Sequence, residues 1–436
     1  MSNAAITRFV ASAAVQEPVQ GQGCHGETPT KLAEAVDIRK TLDTLRINTK
    51  PSFHIRNHVY QEHKMTPSPQ RRKVLIAGAV AGAAAAIGIP RFALAQARQK
   101  LTVVVSSAIA EAGTATQTSI PFELGFWADE GLDVDLKYTR GSALGAQLVI
   151  TGQADVVHAG TSVGLMVPVS KGAPMQAFYH MITQNFQMPA VPADSPIKTL
   201  ADLKGKKLGV IGLATATIPI VKAVLEDAGV DPNNGVTFID VGYGAQAAAA
   251  LWVTKQVDAL AMYDSLYAAI ENVNPELYKL RILTSPLSDK ISFQTALCAK
   301  TDILKSKRDA LVKLGRGHAK ATVFALENPD AAARIHFKVH PEQKTTGVSE
   351  AVAIANGRRS ILARINNMRI DNMFVKRDKW GYMDKIDVET YLDMLKKIGD
   401  VDKSVVANAL YTNDLINDIN RFDVAAIRKM AREYKG

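Results

Sequence analysis

The side chains of this chain that could do chemistry follow short apolar runs and form no catalytic motif. Ser106 and Ser107 follow LTVVV, Arg140, Gly141 and Ser142 follow VDLKYT, and Thr161 and Ser162 follow VVHAG. Further along, Thr215 and Thr217 follow KKLGVI, Tyr243 follows VTFIDV, and Tyr263 with Asp264 closes DALAMY. Gly and small hydroxyl residues let a backbone approach a ligand closely. Helix N-termini just beyond strand ends offer free N–H groups and the positive end of a dipole. The same residues also serve as ordinary caps and tight turns. Arg140 could clamp a carboxylate or sulfonate with two N–H bonds, whereas Asp264 could accept from a ring amine or ammonium. Those two residues point to different ligands, and both options stay open. Phe186, Tyr243 and Tyr263, with Tyr179, His180 and Tyr267, gather near the same expected strand ends, which allows either stacking on a planar ligand or plain core packing.

Several chemistries are missing. There is no GxSxG elbow, no Ser/His/Asp order and no carboxylate pair that can be placed in one site. His158 has no second His or Cys at ligand spacing, so it reads as a buried structural histidine, and no metal or cofactor is assigned. Cys24 and Cys298 are too few and too far apart for a zinc cluster or disulfide framework. Trp380-Gly381-Tyr382 reads as a packing turn. The formal net charge of +10 is concentrated at the front, since residues 1–95 hold 12 basic and 6 acidic side chains. The remainder, with 40 Lys plus Arg against 36 Asp plus Glu, has no basic block and no basic-aromatic interleaving, which argues against a nucleic-acid partner.

Residues 65–95 read as a cleavable signal peptide: a basic start, an apolar run from Val74 to Ile89, and the small-residue site Ala93-Leu94-Ala95. The run is shorter than the ~20 residues that span a bilayer. Arg71-Arg72, the weakly apolar Ala/Gly-rich core and Arg91 resemble a twin-arginine export signal, with Sec export as the alternative. No Cys directly follows the run, so there is no thiol for a lipid anchor. An export signal is read near an amino terminus, so residues 1–64 are expected to be a disordered, non-native upstream extension, with translation starting at Met65, the alternative being a genuine unstructured extension.

The elements that would position the candidate residues alternate between strand and helix, which favours parallel βαβ units. Expected strands cover 101–106, 134–138, 154–160 and 175–180. Ile120, Leu124 and Trp127 predict one helix ended by Gly131, and helices are expected from Gly141-Ser142 to Ile150 and from Thr161-Ser162 to Val169. After the Pro-marked stretch 188–196, a second series predicts strands at 206–211, 236–241, 258–263 and 280–283. Ile220, Val221, Val224, Leu225 and Ala228 form the core stripe of a helix between the first two of these. Residues 291–300 then read as a returning strand, followed by helices around 302–327, 329–337, 348–366, 387–397 and 402–409.

In their order and spacing, GFWADEGLDVDL (125–136), LVITGQADVVHAG (148–160), SPIKTLADLKGKKLGV (195–210), LEDAGVDPN (225–233), QVDALAMYDS (256–265) and YTNDLI (411–416) resemble the SsuA/THI5-like (NMT1-type) substrate-binding proteins. The resemblance implies an α/β type II periplasmic-binding-protein fold, with two α/β lobes joined by a two-strand hinge and a helical C-terminal tail. Lobe one would comprise 98–192 plus 291–436, and lobe two 193–290. It also implies a periplasmic monomer that binds a small planar or anionic organic molecule by closing its lobes and delivers it to an ABC permease in the inner membrane. The alternatives are a ligand-binding sensor for a membrane receptor and a THI5-like pyrimidine-precursor enzyme. The enzyme would need a cysteine-rich motif, and the chain after the export signal has only Cys298.

Overall fold

The computed structural model describes residues 98–371 and 377–436. The expectations for the upstream extension and the export signal concern residues outside that range. Among the described residues, no helix is long and apolar enough to cross a membrane.

Two five-stranded sheets organise the chain. The first has the order β2-β1-β3-β10-β4, with β1 Gln99–Val105, β2 Leu132–Tyr138, β3 Val156–Gly160, β4 Met175–Ile182 and β10 Thr295–Lys300. Its β1 is parallel to both neighbours, pairing Val103 with Leu136 on one side and with Val156 on the other. Val103, Val104 and Val105 are all buried, as the near-continuous apolar run of a strand covered on both faces requires. β2 is an edge strand, as its alternation predicts. β10 runs antiparallel between β3 and β4, so the chain leaves this sheet after β4 and comes back to its middle.

The second sheet has the order β7-β6-β8-β5-β9, with β5 Pro189–Pro192, β6 Lys207–Val210, β7 Thr237–Asp240, β8 Ala259–Ala261 and β9 Leu280–Ile282. β6 is parallel to β7 and β8, whereas β5 is antiparallel to β8 and β9. The first crossing between sheets therefore falls between Ile182 and Pro189, ahead of the expected boundary at 192/193. Two of the prolines that mark 188–196, Pro189 and Pro192, sit at the ends of β5 and pair with Ala261 and Leu280, with Ala190 and Val191 between them in the sheet. The second crossing spans 283–294.

The first sheet carries α1 Ser142–Ile150; the second carries α2 Thr217–Asp227 and α3 Asp264–Val273. In the tail follow α4 Arg308–Glu327, α5 Pro329–Val339, α6 Glu350–Asn366, α7 Lys385–Lys397 and α8 Val424–Glu433. Two expectations fail locally. The single helix through Ile120, Leu124 and Trp127 is instead a short α-helix, Ser119–Glu123, and a 3-10 turn, Ala128–Glu130, because Gly125 takes φ +71° between them. The helix at 402–409 shrinks to a 3-10 turn at Ala407–Ala409. Asp402 Oδ1 accepts from both the Ser404 backbone and hydroxyl, holding the chain in a side-chain-closed turn.

The tail helices touch both lobes. α6 packs on α3, and α7 packs on α2 with Lys397–Glu226 (2.6 Å) and Lys222–Asp400 (3.6 Å) at that contact. One continuous apolar core joins Val104 and Val157 under the first sheet to Leu208 and Val224 under the second and to Tyr391 and Leu395 of α7.

Candidate functional site

The strand ends of the two lobes face one another around a cavity of about 60 Å³. Ser106, Ser107 and Glu111 reach it from the loop after β1, Ser142 from the start of α1, and His158 and Gly160 from β3. Lobe two supplies Ile211, Thr215 and Ala216 after β6 and Tyr263 after β8. Phe186 and Gln187 come from the first crossing, Thr295 from β10, and Arg364 from the last turn of α6.

The lobes approach one another closely at three glycines. Gly141 (φ +107°) lies where a Cβ would come within 2.7 Å of Ala214 O, and a Cβ on Gly160 would come within 2.2 Å of Ala216 Cβ. Gly113 has the same role, its Cβ position being 2.4 Å from Ser265 Cβ. Behind the cavity the two crossings are tied together: Gln294 Nε2 donates to Asn185 Oδ1 (2.6 Å), and Ser292 Oγ to Thr183 O (3.0 Å).

At its charged wall, Arg364 is buried and donates from Nε to Asp264 Oδ1 (2.9 Å) and from Nη2 to Ser265 Oγ (2.9 Å). Its guanidinium carbon lies 4.6 Å from the Phe186 ring centroid and 5.0 Å from that of Tyr263, a cation held between two aromatic faces. Burial works against its charge, but Asp264 and Glu111 outweigh it and hold the guanidinium protonated. Asn367 Nδ2 donates to the other oxygen of Asp264 (2.8 Å). Glu111 is fully buried, accepting from Gly113 N (2.8 Å) and Ser265 Oγ (3.2 Å). Burial raises its pKa, and the nearby Arg364 only partly opposes the rise. His158 is driven down to about 3 by burial, with His318 and Arg364 adding to the effect, so its imidazole is neutral. Neither of its ring nitrogens has a hydrogen-bond partner, nor has the buried Ser106 hydroxyl.

The candidate residues divide accordingly. Ser106, Ser107, Ser142, Phe186, Thr215 and Tyr263 line the cavity. Gly141 and Tyr243 sit at the lobe contact, the Tyr243 hydroxyl accepting from Ala108 N (3.3 Å). Ser162 Oγ donates across the same contact to Ala216 O (3.4 Å). Thr161 Oγ1 donates to Phe293 O and Thr217 Oγ1 to Gln187 Oε1 (2.6 Å), so both brace the crossings. Arg140 is no clamp in this cavity. It forms an interlobe ion pair with Asp240 (3.2 Å) in which the two side chains are 59% and 41% exposed. Asp264 faces Arg364 instead of the cavity. Tyr179, His180 and Tyr267 are core residues: Tyr179 packs on Gly381, His180 faces Arg377, and the Tyr267 hydroxyl bonds Met262 N and Met188 O. Glu111, Thr114, Gln187, Thr295 and Arg364 were missed, and His158, read as a buried structural histidine, lines the cavity. Glu111 was within reach, as the one charged residue in the loop 106–113.

A two-lobed α/β protein with a polar cavity at the junction of its lobes has the periplasmic-binding-protein fold, and solved structures agree. The alkanesulfonate-binding protein SsuA from Xanthomonas axonopodis pv. citri, bound to MOPS, superposes with a TM-score of 0.53 at 14% identity, over 72% of this chain and 98% of that one. The periplasmic nitrate-binding protein NrtA from Synechocystis PCC 6803 does so at 0.53 and 16%, over 76% of this chain and 91% of that one. At those identities the likeness is one of fold. A Brucella abortus (strain 2308) protein described as a candidate binding protein is 26% identical over 234 residues, 54% of this chain and 70% of the relative. The NMT1/THI5 like family model matches residues 120–332 of this chain.

Proposed function

We propose that this protein is the periplasmic solute-binding component of an ABC importer, exported by its signal peptide, that takes up a small organic molecule between its lobes and presents the closed form to an inner-membrane permease as a monomer. The observation that carries this reading is the cavity itself, with both lobes in its wall and unpartnered polar groups, His158 and Ser106, buried in it. Buried polar atoms ordinarily have partners, and a ligand between the lobes would supply them. The sulfonate- and nitrate-binding proteins of the same fold and the related Brucella protein support a binding role over an enzymatic one. Cys298, the one cysteine among the described residues, is buried in β10, and burial pushes its thiol pKa up, which leaves it no nucleophilic role.

The mechanism is one of differential affinity. A ligand touching both lobes binds the closed form more tightly than the open one and shifts the equilibrium by that difference. The contacts of Gly141 with Ala214 O and of Gly160 with Ala216 Cβ join the two lobes, so closure would create the surface a permease reads. A thermal-shift screen of the purified protein against sulfonates, aromatic carboxylates, amines, pyrimidines and inorganic anions tests the proposal, since a ligand at 100 times its Kd stabilises by about 2.7 kcal/mol. A hit should also compact the protein in small-angle scattering. Tight binding with unchanged scattering would refute the closing mechanism.

A further inference from the structure

We infer that the cleft is built to hold the protonated nitrogen of a small organic amine, with Glu111 as its acceptor. The inference rests on the binding-protein reading and narrows it to one ligand class.

The charges on the wall point this way. Among the described residues, the cavity is lined by two charged side chains, Glu111 and Arg364. Arg364 is already matched: Asp264 takes its Nε–H and lies 2.8 Å from Nη2, Ser265 takes a further N–H, and Phe186 and Tyr263 cover its faces. Glu111 has only neutral hydrogen-bond partners, the Gly113 N–H and the Ser265 hydroxyl, and makes no ion pair of its own. One guanidinium thus faces two carboxylates, so the cluster is negative with Glu111 ionised and neutral with it protonated, never positive. An incoming sulfonate or nitrate would be desolvated beside a carboxylate with no unshared cation to receive it, which is the costly way to bury a charge. An ammonium group does the reverse and gives Glu111 the counter-charge it lacks.

The neutral groups agree. The His158 imidazole is uncharged and more than nine-tenths buried, and its acceptor nitrogen has no donor. Ser106 Oγ is a second acceptor without a partner. An ammonium carries three N–H donors, and the cavity wall offers three acceptor groups for them, the Glu111 carboxylate, the His158 imidazole and the Ser106 hydroxyl. Arg140, the residue best suited to an anion, lies outside this cavity and is occupied by Asp240. A space of about 60 Å³ holds a charged head and its first carbons.

Isothermal titration of the purified protein with head-group pairs on one skeleton decides the matter: benzylamine against benzoate and benzenesulfonate, and ethylamine against ethanesulfonate and nitrate. Amines should bind at least ten-fold more tightly than their anionic counterparts. Glu111→Gln keeps the shape and the Gly113 contact, and should weaken amine binding ten-fold or more while leaving anion binding unchanged or stronger. If that variant does not fold, the ranking in the parent protein decides alone. Anions that bind more tightly than amines and compact the protein would overturn this inference and leave the binding-protein reading standing. No binding and no compaction with any probe here or in the wider screen would overturn both.

Discussion

Gly160 ends β3 where the lobes meet, and replacing it with alanine tests closure directly. The added Cβ would stand 2.2 Å from Ala216 Cβ in the other lobe. Carbon atoms rest about 3.5–4.0 Å apart, so the lobes would have to part by about 1.5 Å locally. Within its own lobe the methyl meets Ser142 Oγ at 3.4 Å and Gln294 O at 3.6 Å, ordinary contacts that leave the first lobe undisturbed. Overpacking of this kind costs about 1–3 kcal/mol. Here the cost falls on the closed form alone, so the closed-to-open ratio should drop by roughly 5- to 150-fold, and apparent ligand affinity with it. The assay pairs titration of whichever ligand the screen identifies with small-angle scattering of the bound and free protein. A larger radius of gyration at equal ligand concentration is expected, with the chemical denaturation midpoint of the free protein moved far less than the affinity. Parent affinity together with the parent scattering curve in Gly160→Ala would show that the lobes do not close through this contact.

Three further outcomes are expected. Arg140→Ala removes an exposed interlobe pair, so affinity should change by no more than about 1 kcal/mol and the change should vanish in high salt; a large, salt-independent loss would return Arg140 to the binding site. Tyr267→Phe strips a buried hydroxyl from Met262 N (2.7 Å) and Met188 O (2.5 Å) and should cost about 1–3 kcal/mol in denaturant melts, without altering ligand selectivity. Acidification should destabilise the fold through buried neutral histidines: burial holds His158 near 3, His318 near 4 and His336 near 3, all below the unfolded value of 6.5. The unfolded chain therefore binds more protons between pH 6.5 and about 4, and stability should fall by on the order of 2 kcal/mol per histidine from pH 6.5 to 5. The raised Glu111 pKa acts in the opposite sense above 4.5, because the folded state takes up that proton first, and offsets part of the loss. Denaturant melts at pH 7 and pH 5 that coincide would contradict the burial assigned to these rings.

Most of the scaffold could be read from pattern. A strand buried on both faces, such as β1, declares itself by its run of valines, and the edge strand β2 by its alternation of Val134, Leu136 and Tyr138 with Asp135 and Lys137. The loops after those strands carry much of the cavity wall, since in an open α/β sheet the strand ends are where a site forms. Errors came where a local rule met a longer-range one. Prolines that usually break strands bound β5 instead: Pro189 pairs with β8 and Pro192 with β9, and the Pro189 carbonyl still accepts from Leu283 N. Aromatic residues near strand ends were ambiguous by nature: Tyr263 faces the cavity while Tyr267, one helical turn later, points into the core of the same lobe.

The charge of the cleft was harder to read because it depends on a pairing across 100 residues, between Asp264 at the start of α3 and Arg364 at the end of α6. A weak signal for it did exist. Ala353, Gly357, Ser360, Ile361 and Arg364 fall on the buried stripe of α6, and a guanidinium on a stripe of small residues must have a buried partner. Once that partner is Asp264, the acid that sequence alone offered to an ammonium group is spent on a guanidinium of the protein itself. The acceptor role passes to Glu111, which shares the Ser265 hydroxyl with Arg364 but forms no ion pair with it. A cleft arranged this way uses its arginine to hold the lobes together, so the charge left to choose the cargo is the opposite of the one an arginine in a binding site usually signals.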